Sequence, residues 1–372
     1  MRSAWALVFI AAMGCDSARE GPTGRGLAAM EAEDPADPVL TCVPASAPGA
    51  PVIAGVPTLS LPPLLDWPRD VAAPTPDLTE PTNNRLYDLH GEINDCASMD
   101  LVFSTAGNYH MALRDLFRDV LLPGSTIENW YYTTSPPIVV DQINNSVVGF
   151  GNFELGCRPM ATAGPLAFIN SIPAQYKDGA AAQIFRNRGN VILVKKGNPR
   201  HIHDIWDLRK PNVRVVTPHP CLEAATFTNY SGSIYNIAAN DPNGPGGWTA
   251  AELFNRIFNN GSPNKWLIGA RIHHREMPWA IAYGKADAGV IFYHLALDAV
   301  RSFPDLFEIV PLGGTAQNPQ PLPGNQVGAH FAVRIAGSWT GEQLTNRELL
   351  MQSLVSPQFG AILQEHGLLP PL

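Results

Sequence analysis

The segment His273–His274–Arg275–Glu276 puts two imidazoles, a guanidinium and a carboxylate directly ahead of an apolar helical run, where a helix N-terminus presents them to a ligand. Two hydroxyl-rich turns point to the same kind of chemistry. Ser104–Thr105 follows the apolar run Met99–Phe103, and Thr133–Thr134–Ser135 follows the alternating aromatic run Ile127–Tyr132. A strand that passes through small hydroxyl residues into a helix aims free backbone N–H groups at an anion, although Ser104 or Thr105 could equally serve only as a helix cap. Arg158, after the run Val147–Leu155, supplies a cation that could pair with an anionic ligand. A second chemistry is open to Cys157, His219, Cys221, His273 and His274: thiolates with imidazoles suit Zn or Cu, provided a disulfide does not consume both sulfurs. The His pair before Glu276 is not a zinc-protease motif, and neither a nucleophile elbow nor a phosphate loop occurs, so catalysis is not expected.

The elements that must hold these residues follow from periodicity. Met99–Phe103 is expected as a buried strand and Tyr109–Leu121 as an amphipathic helix with Met111, Leu113, Leu116, Phe117 and Val120 on one side. Ile127–Tyr132 then leads, through Pro136 at a first-turn position, to a helix over Pro137–Asn145. Val147–Leu155 reads as a further strand ending in the turn Gly156–Gly164. Val191–Val194 and Asn212–Val216 are strands, Ala224–Ala238 and Thr249–Phe258 helices. A helix ending near Gly284 turns tightly into a strand at Gly289–Phe292. Gly328–Ile335 is a strand, and Ser356 caps a closing helix opened by Pro357.

The chain has 372 residues, 45% of them hydrophobic and 16% charged, with a net charge of −8. That is enough to bury two cores of ordinary size, and the acidity argues against nucleic acid as a partner. The start of the chain reads as a targeting segment: Arg2, the apolar run Trp5–Met13, then Ala12–Met13–Gly14–Cys15. Small residues before a cysteine resemble a bacterial lipobox, which would make residues 1–15 a lipoprotein signal and Cys15 the lipidated residue. Thirteen of the 35 prolines fall between Gly21 and Asn84, so residues 16–95 are expected to be a solvated linker or stalk. Cys42, Cys96, Cys157 and Cys221 remain, enough for two disulfides in any of three pairings.

Several motifs, taken in order, resemble the molybdate-type periplasmic binding proteins of ABC importers over about residues 99–372. They are Gly284–Lys285–Ala286–Asp287–Ala288–Gly289–Val290, the run Asn187–Arg188–Gly189–Asn190 through Val191–Val194 to Lys196–Gly197–Asn198–Pro199, the segment His201–Leu208, and the closing Leu354–Leu368. The resemblance implies an α/β, two-lobed periplasmic-binding-protein type II fold. Each lobe would be a mainly parallel sheet flanked by helices, the two joined by a two-crossing hinge, with residues 96–189 and 308–372 as lobe 1 and 190–307 as lobe 2. It further implies a monomer that captures a small oxyanion such as molybdate or tungstate and delivers it to an ABC permease, held at the cell envelope or periplasm by its lipid and using no cofactor. A ligand sensor on the same fold is the alternative partner arrangement. Carried over, the ligand donors are Ser104, Thr105, Thr134, Ser135, the turn His219–Cys221, and His273–His274, with Arg275 beside them. The family's tyrosine after the Ala-Asp-Ala-Gly turn falls in register on Phe292, so a local bulge would be needed to bring in the Tyr293 hydroxyl. His273, His274 and Arg275 replace a small polar segment, which suits an anion of higher charge or one with an organic part.

Overall fold

The computed structural model describes residues 98–133, 140–150, 153–220, 223–241, 244–259, 265–269 and 273–371, with the backbone of short strands at 39–40, 59–60 and 87–90. Two mixed sheets organise it. The first runs in the order β1 (Tyr87–His90), β3 (Trp130–Thr133), β2 (Leu101–Thr105), β4 (Ala161–Pro165), β11 (Ala329–Arg334), β5 (Ala182–Arg186). The second runs β8 (Trp266–Ile268), β7 (Val215–Thr217), β9 (Ala288–Phe292), β6 (Asn190–Lys195), β10 (Phe307–Val310). Leaving out the edge strand β1, the two orders are the same: second, first and third parallel strands, then an antiparallel strand contributed by the other crossing, then the last. Both lobes thus have an α/β plan in which three parallel strands end on the same side, the side on which such sheets hold ligands.

The expected two-lobed type II architecture is the one observed, but its boundaries differ. Tyr87–His90, expected in the linker, pairs antiparallel with β3 at the edge of the first sheet. Phe307–Val310 still pairs with β6, so the chain leaves the second sheet after Val310 and rejoins the first only at Ala329. The crossings are therefore residues 187–189 and 325–328.

The crossings are stitched together by asparagines. Asn325 Oδ1 accepts the Asn190 amide at 2.8 Å, while its Nδ2 donates to the Asn190 carbonyl at 2.9 Å. Asn187 Oδ1 accepts from the amides of Gly189 at 3.0 Å and Gly328 at 3.1 Å. The expected hinge signature Asn-Arg-Gly-Asn is thus a set of side chains that replace sheet bonding where the chain changes lobes.

β6 reads Asn-Val-Ile-Leu-Val-Lys, a continuous apolar run, because both its faces are covered. In the turn before β9, Asp287 is structural. It accepts from the Arg214 amide at 2.8 Å and from Arg214 and Arg200 guanidinium nitrogens at 2.9 and 3.0 Å. Gly284 has φ +67, which allows the chain to reverse there.

The first lobe departs from expectation in two places. The strand expected at Val147–Leu155 is a two-stranded hairpin, Val148–Phe150 with Phe153–Leu155, outside both large sheets. The central strand is instead β4, inside the segment expected as a turn. Its sequence Ala-Thr-Ala-Gly-Pro lacks the β-branched apolar residues that mark a strand, and neighbours cover it on both sides. The helix expected over Tyr109–Leu121 forms but changes width along its length: a 3-10 turn at Gly107–Tyr109, then α1 (His110–Leu116), continued by a wide turn over Phe117–Leu121 closed by Leu122 N to Phe117 O at 3.0 Å.

Besides short helices at Val140–Asn144 and Leu166–Ser171, the helices are α2 (Ala224–Asn240), α3 (Ala250–Phe258), α4 (His273–Ala282), α5 (Tyr293–Ser302), α6 (Gly341–Ser353) and α7 (Pro357–Glu365). α3 begins with a capping box between Thr249 and Glu252, and α7 with the Ser356 hydroxyl accepting from the Phe359 amide. Each lobe has its own core, and Met111 of α1 packs into the core of the second lobe, so the lobes are in contact.

Candidate functional site

The carboxyl ends of the parallel strands face each other across the contact between the lobes. On the first lobe, β2 ends in Ser104 and Thr105, both buried, and the chain turns through Ala106–Asn108 into His110 at the start of α1. The Thr105 hydroxyl is bonded to the Tyr109 hydroxyl, which fixes the turn. On the second lobe, β7 ends at Thr217 and continues through His219 to Glu223 at the start of α2. β8 ends at Ile268, and at the next residue, Gly269, a Cβ would lie 2.5 Å from the Glu276 carboxylate of α4. The missing side chain at 269 is what lets Glu276 tuck in. β9 ends at Phe292, immediately before α5 with Tyr293 and His294.

Four imidazoles meet here: His110 from the first lobe, and His273, His274 and His294 from the second. They are 4%, 3%, 4% and 1% exposed. His110 and His274 stack with ring centroids 5.5 Å apart, and His273 meets His274 edge-on at 5.4 Å. His294 Nε2 reaches back to the first lobe, 2.6 Å from the Asn108 carbonyl. His110 Nδ1 lies 3.0 Å from the Gly107 carbonyl, and His273 Nδ1 lies 2.6 Å from Glu223 Oε1. Glu223 also accepts the His273 amide at 3.1 Å, so the carboxylate clamps the first residue of α4. Pro278 lies four residues after His274 and has no amide to offer that carbonyl. Five ring nitrogens are buried with no hydrogen-bond partner in the protein: His110 Nε2, His273 Nε2, both nitrogens of His274, and His294 Nδ1.

Burial keeps the rings of His110, His274 and His294 neutral. It pushes His110 down to about 4, against the opposing pull of the Gly107 carbonyl, with Arg114, His366 and Arg275 adding to the depression. Burial likewise takes His294 down to about 3 and His219 to about 4. His274 falls well below the ordinary histidine range, mainly through burial, with His273, His110 and Arg275 adding like charge.

The expected residues sort unevenly against this centre. Ser104, Thr105, His219, His273, His274 and Arg275 lie on the facing strand ends or on the helix that follows them. Thr134, Ser135, Cys221 and Cys15 lie outside the described residues.

Arg158 does not belong with them. It precedes β4 and so sits at the opposite, amino end of the parallel strands. There its Nε donates to the Ile143 carbonyl at 2.8 Å, its Nη1 to Ala336 at 3.3 Å, and its guanidinium lies 4.2 Å from the Tyr176 ring. Tyr293 also turns away. Its ring packs against Gly367, where a Cβ would lie 2.9 Å from Tyr293 Cε1, and its hydroxyl donates to the Gln317 carbonyl at 3.3 Å. No bulge brings that hydroxyl in; the next residue, His294, takes the place.

The metal reading loses a ligand as well. Cys157 is disulfide-bonded, and among the described residues no group of three or more His, Cys, Asp or Glu is placed to hold a metal ion. His110 and His294 were not anticipated. The signal available was a titratable residue inside an otherwise apolar run just past a strand end: Gly-Asn-Tyr-His-Met-Ala-Leu and Val-Ile-Phe-Tyr-His-Leu-Ala.

Comparison with known proteins bears on the same region. A family model for bacterial extracellular solute-binding proteins matches residues 168–369, more than half of the chain. A stretch of 40 residues is 52% identical to the sulfate-binding protein of Salmonella typhimurium, spanning 11% of this chain and only 12% of that relative's length. Among solved structures, the sulfate-binding protein SubI of Mycobacterium tuberculosis is 14% identical, with 73% of this chain and 86% of that one covered and a TM-score of 0.49. The periplasmic molybdate-binding protein of Azotobacter vinelandii is 14% identical over 73% of this chain and 100% of that one, with a TM-score of 0.48. Peb3 of Campylobacter jejuni is 15% identical at the same coverage, with a TM-score of 0.47.

Proposed function

This chain belongs to the bacterial extracellular solute-binding proteins, and from that premise we propose that it captures a small oxyanion between its lobes and delivers it to an ABC permease. The observation that carries this reading is the set of five buried, unpartnered imidazole nitrogens where the strand ends of the two lobes meet. Polar atoms withdrawn from water without partners are costly, so a ligand or bound water must complete them. Two lobes joined by two short crossings form a clamshell, and closure on a ligand is the motion such a joint permits. Arg275, on the same helix as His273 and His274, supplies positive charge beside them. The donors on the first lobe are the Ser104–Thr105 strand end and the turn that follows. Thr134 and Ser135 remain proposed contacts from the neighbouring turn.

Binding rather than catalysis suits the site. The buried groups at its centre are imidazoles whose fixed partners are backbone carbonyls and one carboxylate. Among the described residues no helix is long and apolar enough to cross a membrane. The proposed attachment to the cell envelope is lipid on Cys15, after which the protein acts as a monomer outside the cytoplasm.

The test is calorimetric titration of the full chain with molybdate, tungstate, sulfate and phosphate, alongside the Arg275→Ala variant. Binding of one of these anions, weakened tenfold or more by Arg275→Ala without loss of fold, is expected. Silence across the panel defeats the oxyanion reading. Fractionation of Cys15→Ser tests the anchor, which is refuted if the variant stays in membranes.

A further inference from the structure

The histidine cluster also carries information about which protonation state of the ligand it accepts. A carbonyl oxygen can only accept a hydrogen bond, so a ring nitrogen bonded to one must carry the proton. His110 Nδ1 faces the Gly107 carbonyl at 3.0 Å, and His294 Nε2 faces the Asn108 carbonyl at 2.6 Å. His273 Nδ1 faces Glu223 Oε1 at 2.6 Å, an oxygen that accepts when ionised. A neutral imidazole has one N–H and one lone pair. With the N–H spent on those oxygens, the unpartnered nitrogens His110 Nε2, on the first lobe, and His294 Nδ1, on the second, each present a bare lone pair. His274, with both nitrogens unpartnered, is free to offer an N–H.

A centre to which each lobe brings a ring with a bare lone pair is the wrong surface for an anion whose oxygens also only accept. Binding such an anion requires that a ring take up a proton and become a donor, or that the ligand bring its own. A metal would satisfy lone pairs too, but no three such groups among the described residues are placed to hold one.

We propose that this site takes its oxyanion together with at least one proton, and therefore selects oxyanions of the phosphate class over sulfate, molybdate and tungstate. Phosphate-class oxyanions keep or regain a hydroxyl near neutral pH, whereas the other three are acceptors only in that range. This rests on the oxyanion reading above and specifies its ligand. The proton balance is the same whether the proton arrives on the ligand or on a ring: one O–H···N or N–H···O bond forms where two acceptors would otherwise face each other.

The surroundings set where a proton on a ring is tolerated. Glu223 is the carboxylate in contact with His273. Arg114 on α1, Arg275 on α4, His366 beyond α7 and His330 on β11 face the other rings and oppose a charge on them. A bare ring nitrogen near these cations is therefore better met by a hydroxyl of the ligand than by protonation.

The experiment is calorimetric titration of the full chain with inorganic phosphate and with sulfate, between about pH 6 and pH 8, in two buffers of different ionisation enthalpy. Phosphate is expected to bind at least tenfold more tightly than sulfate at about pH 7.5. Any sulfate binding is expected to take up protons and to weaken about tenfold per pH unit as pH rises. Sulfate binding as tight as phosphate at about pH 8, or sulfate binding without proton uptake, overturns the proposal but leaves oxyanion capture standing. Failure of both anions at every pH overturns capture of a small oxyanion as well. His110→Gln gives a second readout, because its amide can turn an N–H toward the site. Selectivity for phosphate over sulfate should fall in that variant, and unchanged selectivity counts against the lone-pair argument. If it does not fold, His294→Gln asks the same question from the other lobe.

Discussion

His110 of the first lobe and His274 of the second lie ring over ring, 5.5 Å between centroids and 28° between planes, with both side chains withdrawn from water. This contact exists only while the lobes are together. His274 makes no hydrogen bond to the protein, so its ring serves closure and whatever fills the cleft rather than the folding of its own lobe.

The first prediction follows. His274→Ala should lower ligand affinity at least tenfold while changing the melting temperature by only a few degrees. The stacked pair itself is worth about 1 kcal/mol, and the remaining loss is that of the ligand contact. Calorimetric titration with thermal melts of the free protein checks it. A large drop in stability with unchanged affinity would make His274 a packing residue.

The buried histidines also predict how stability depends on pH. A ring kept neutral by burial binds a proton less readily folded than unfolded, so acid favours the unfolded chain. His110 and His219 are held at about 4, and His294 and His330 at about 3, against an ordinary 6.5. Stability should therefore fall as pH drops below about 6.5. Each ring can cost on the order of 3 kcal/mol once pH reaches its folded value. Their sum is comparable to the whole stability of a domain, so the ligand-free protein should unfold before pH reaches about 4. His330→Phe keeps the stacking on Phe185, at 4.4 Å, and removes one titrating group. Its melting temperature should decline less steeply with acid, and an unchanged slope would show that the ring does not titrate on unfolding.

What could be read in the sequence was local. Asn187 to Asn190 marked the hinge through the family resemblance, and the structure gives the physical reason: asparagine both donates and accepts, so it can satisfy backbone where the chain leaves a sheet. The turn holding Asp287 was legible as a family motif, but the role of its carboxylate, which accepts from Arg214 and Arg200, was not. β4 was not, because Ala-Thr-Ala-Gly-Pro carries none of the bulk that marks a strand. Missing it placed Arg158 at the wrong end of the sheet. Tyr293 and His294 are neighbours at the start of a helix, and which of them faces the cleft depends on how α5 seats against the hinge, where the Tyr293 amide bonds Gly189 O at 3.1 Å. The histidine cluster was half legible. His273 and His274 are adjacent in sequence, whereas His294 joins them only when the second lobe folds and His110 only when the lobes pack.

Arg158 provides a test of that correction. Its bonds to the Ile143 and Ala336 carbonyls and its stacking on Tyr176 tie together the far side of the first lobe. Arg158→Ala should cost about 1–3 kcal/mol of stability and leave affinity within twofold. Urea unfolding and titration separate the two, and a tenfold loss of affinity in a stable variant would return Arg158 to the site.

The last prediction concerns the joint. Asn325 spans the two crossings, accepting from Asn190 N at 2.8 Å and donating to Asn190 O at 2.9 Å and Leu312 O at 3.4 Å. Asn190 in turn donates to Asn229 at 2.8 Å and Ser233 at 2.7 Å, and Ser233 accepts the Gln326 amide at 3.0 Å, so one network holds both strands. Asn325→Ala would leave the Asn190 amide and carbonyl buried without these partners, at a cost of about 2–4 kcal/mol. Asn325→Asp keeps the acceptor and loses only the donor, so it should cost less. Gly189, in the first crossing, has φ +79, and a Cβ there would lie 3.0 Å from Pro321 and 3.1 Å from Asn325. Gly189→Ala therefore combines backbone strain with a clash, and should impair closure as well as stability. Small-angle scattering with and without ligand reads closure directly: the wild type should contract on binding, and Gly189→Ala should contract less at saturating ligand. Equal contraction in the two would show that residues 187–189 are not where the lobes bend.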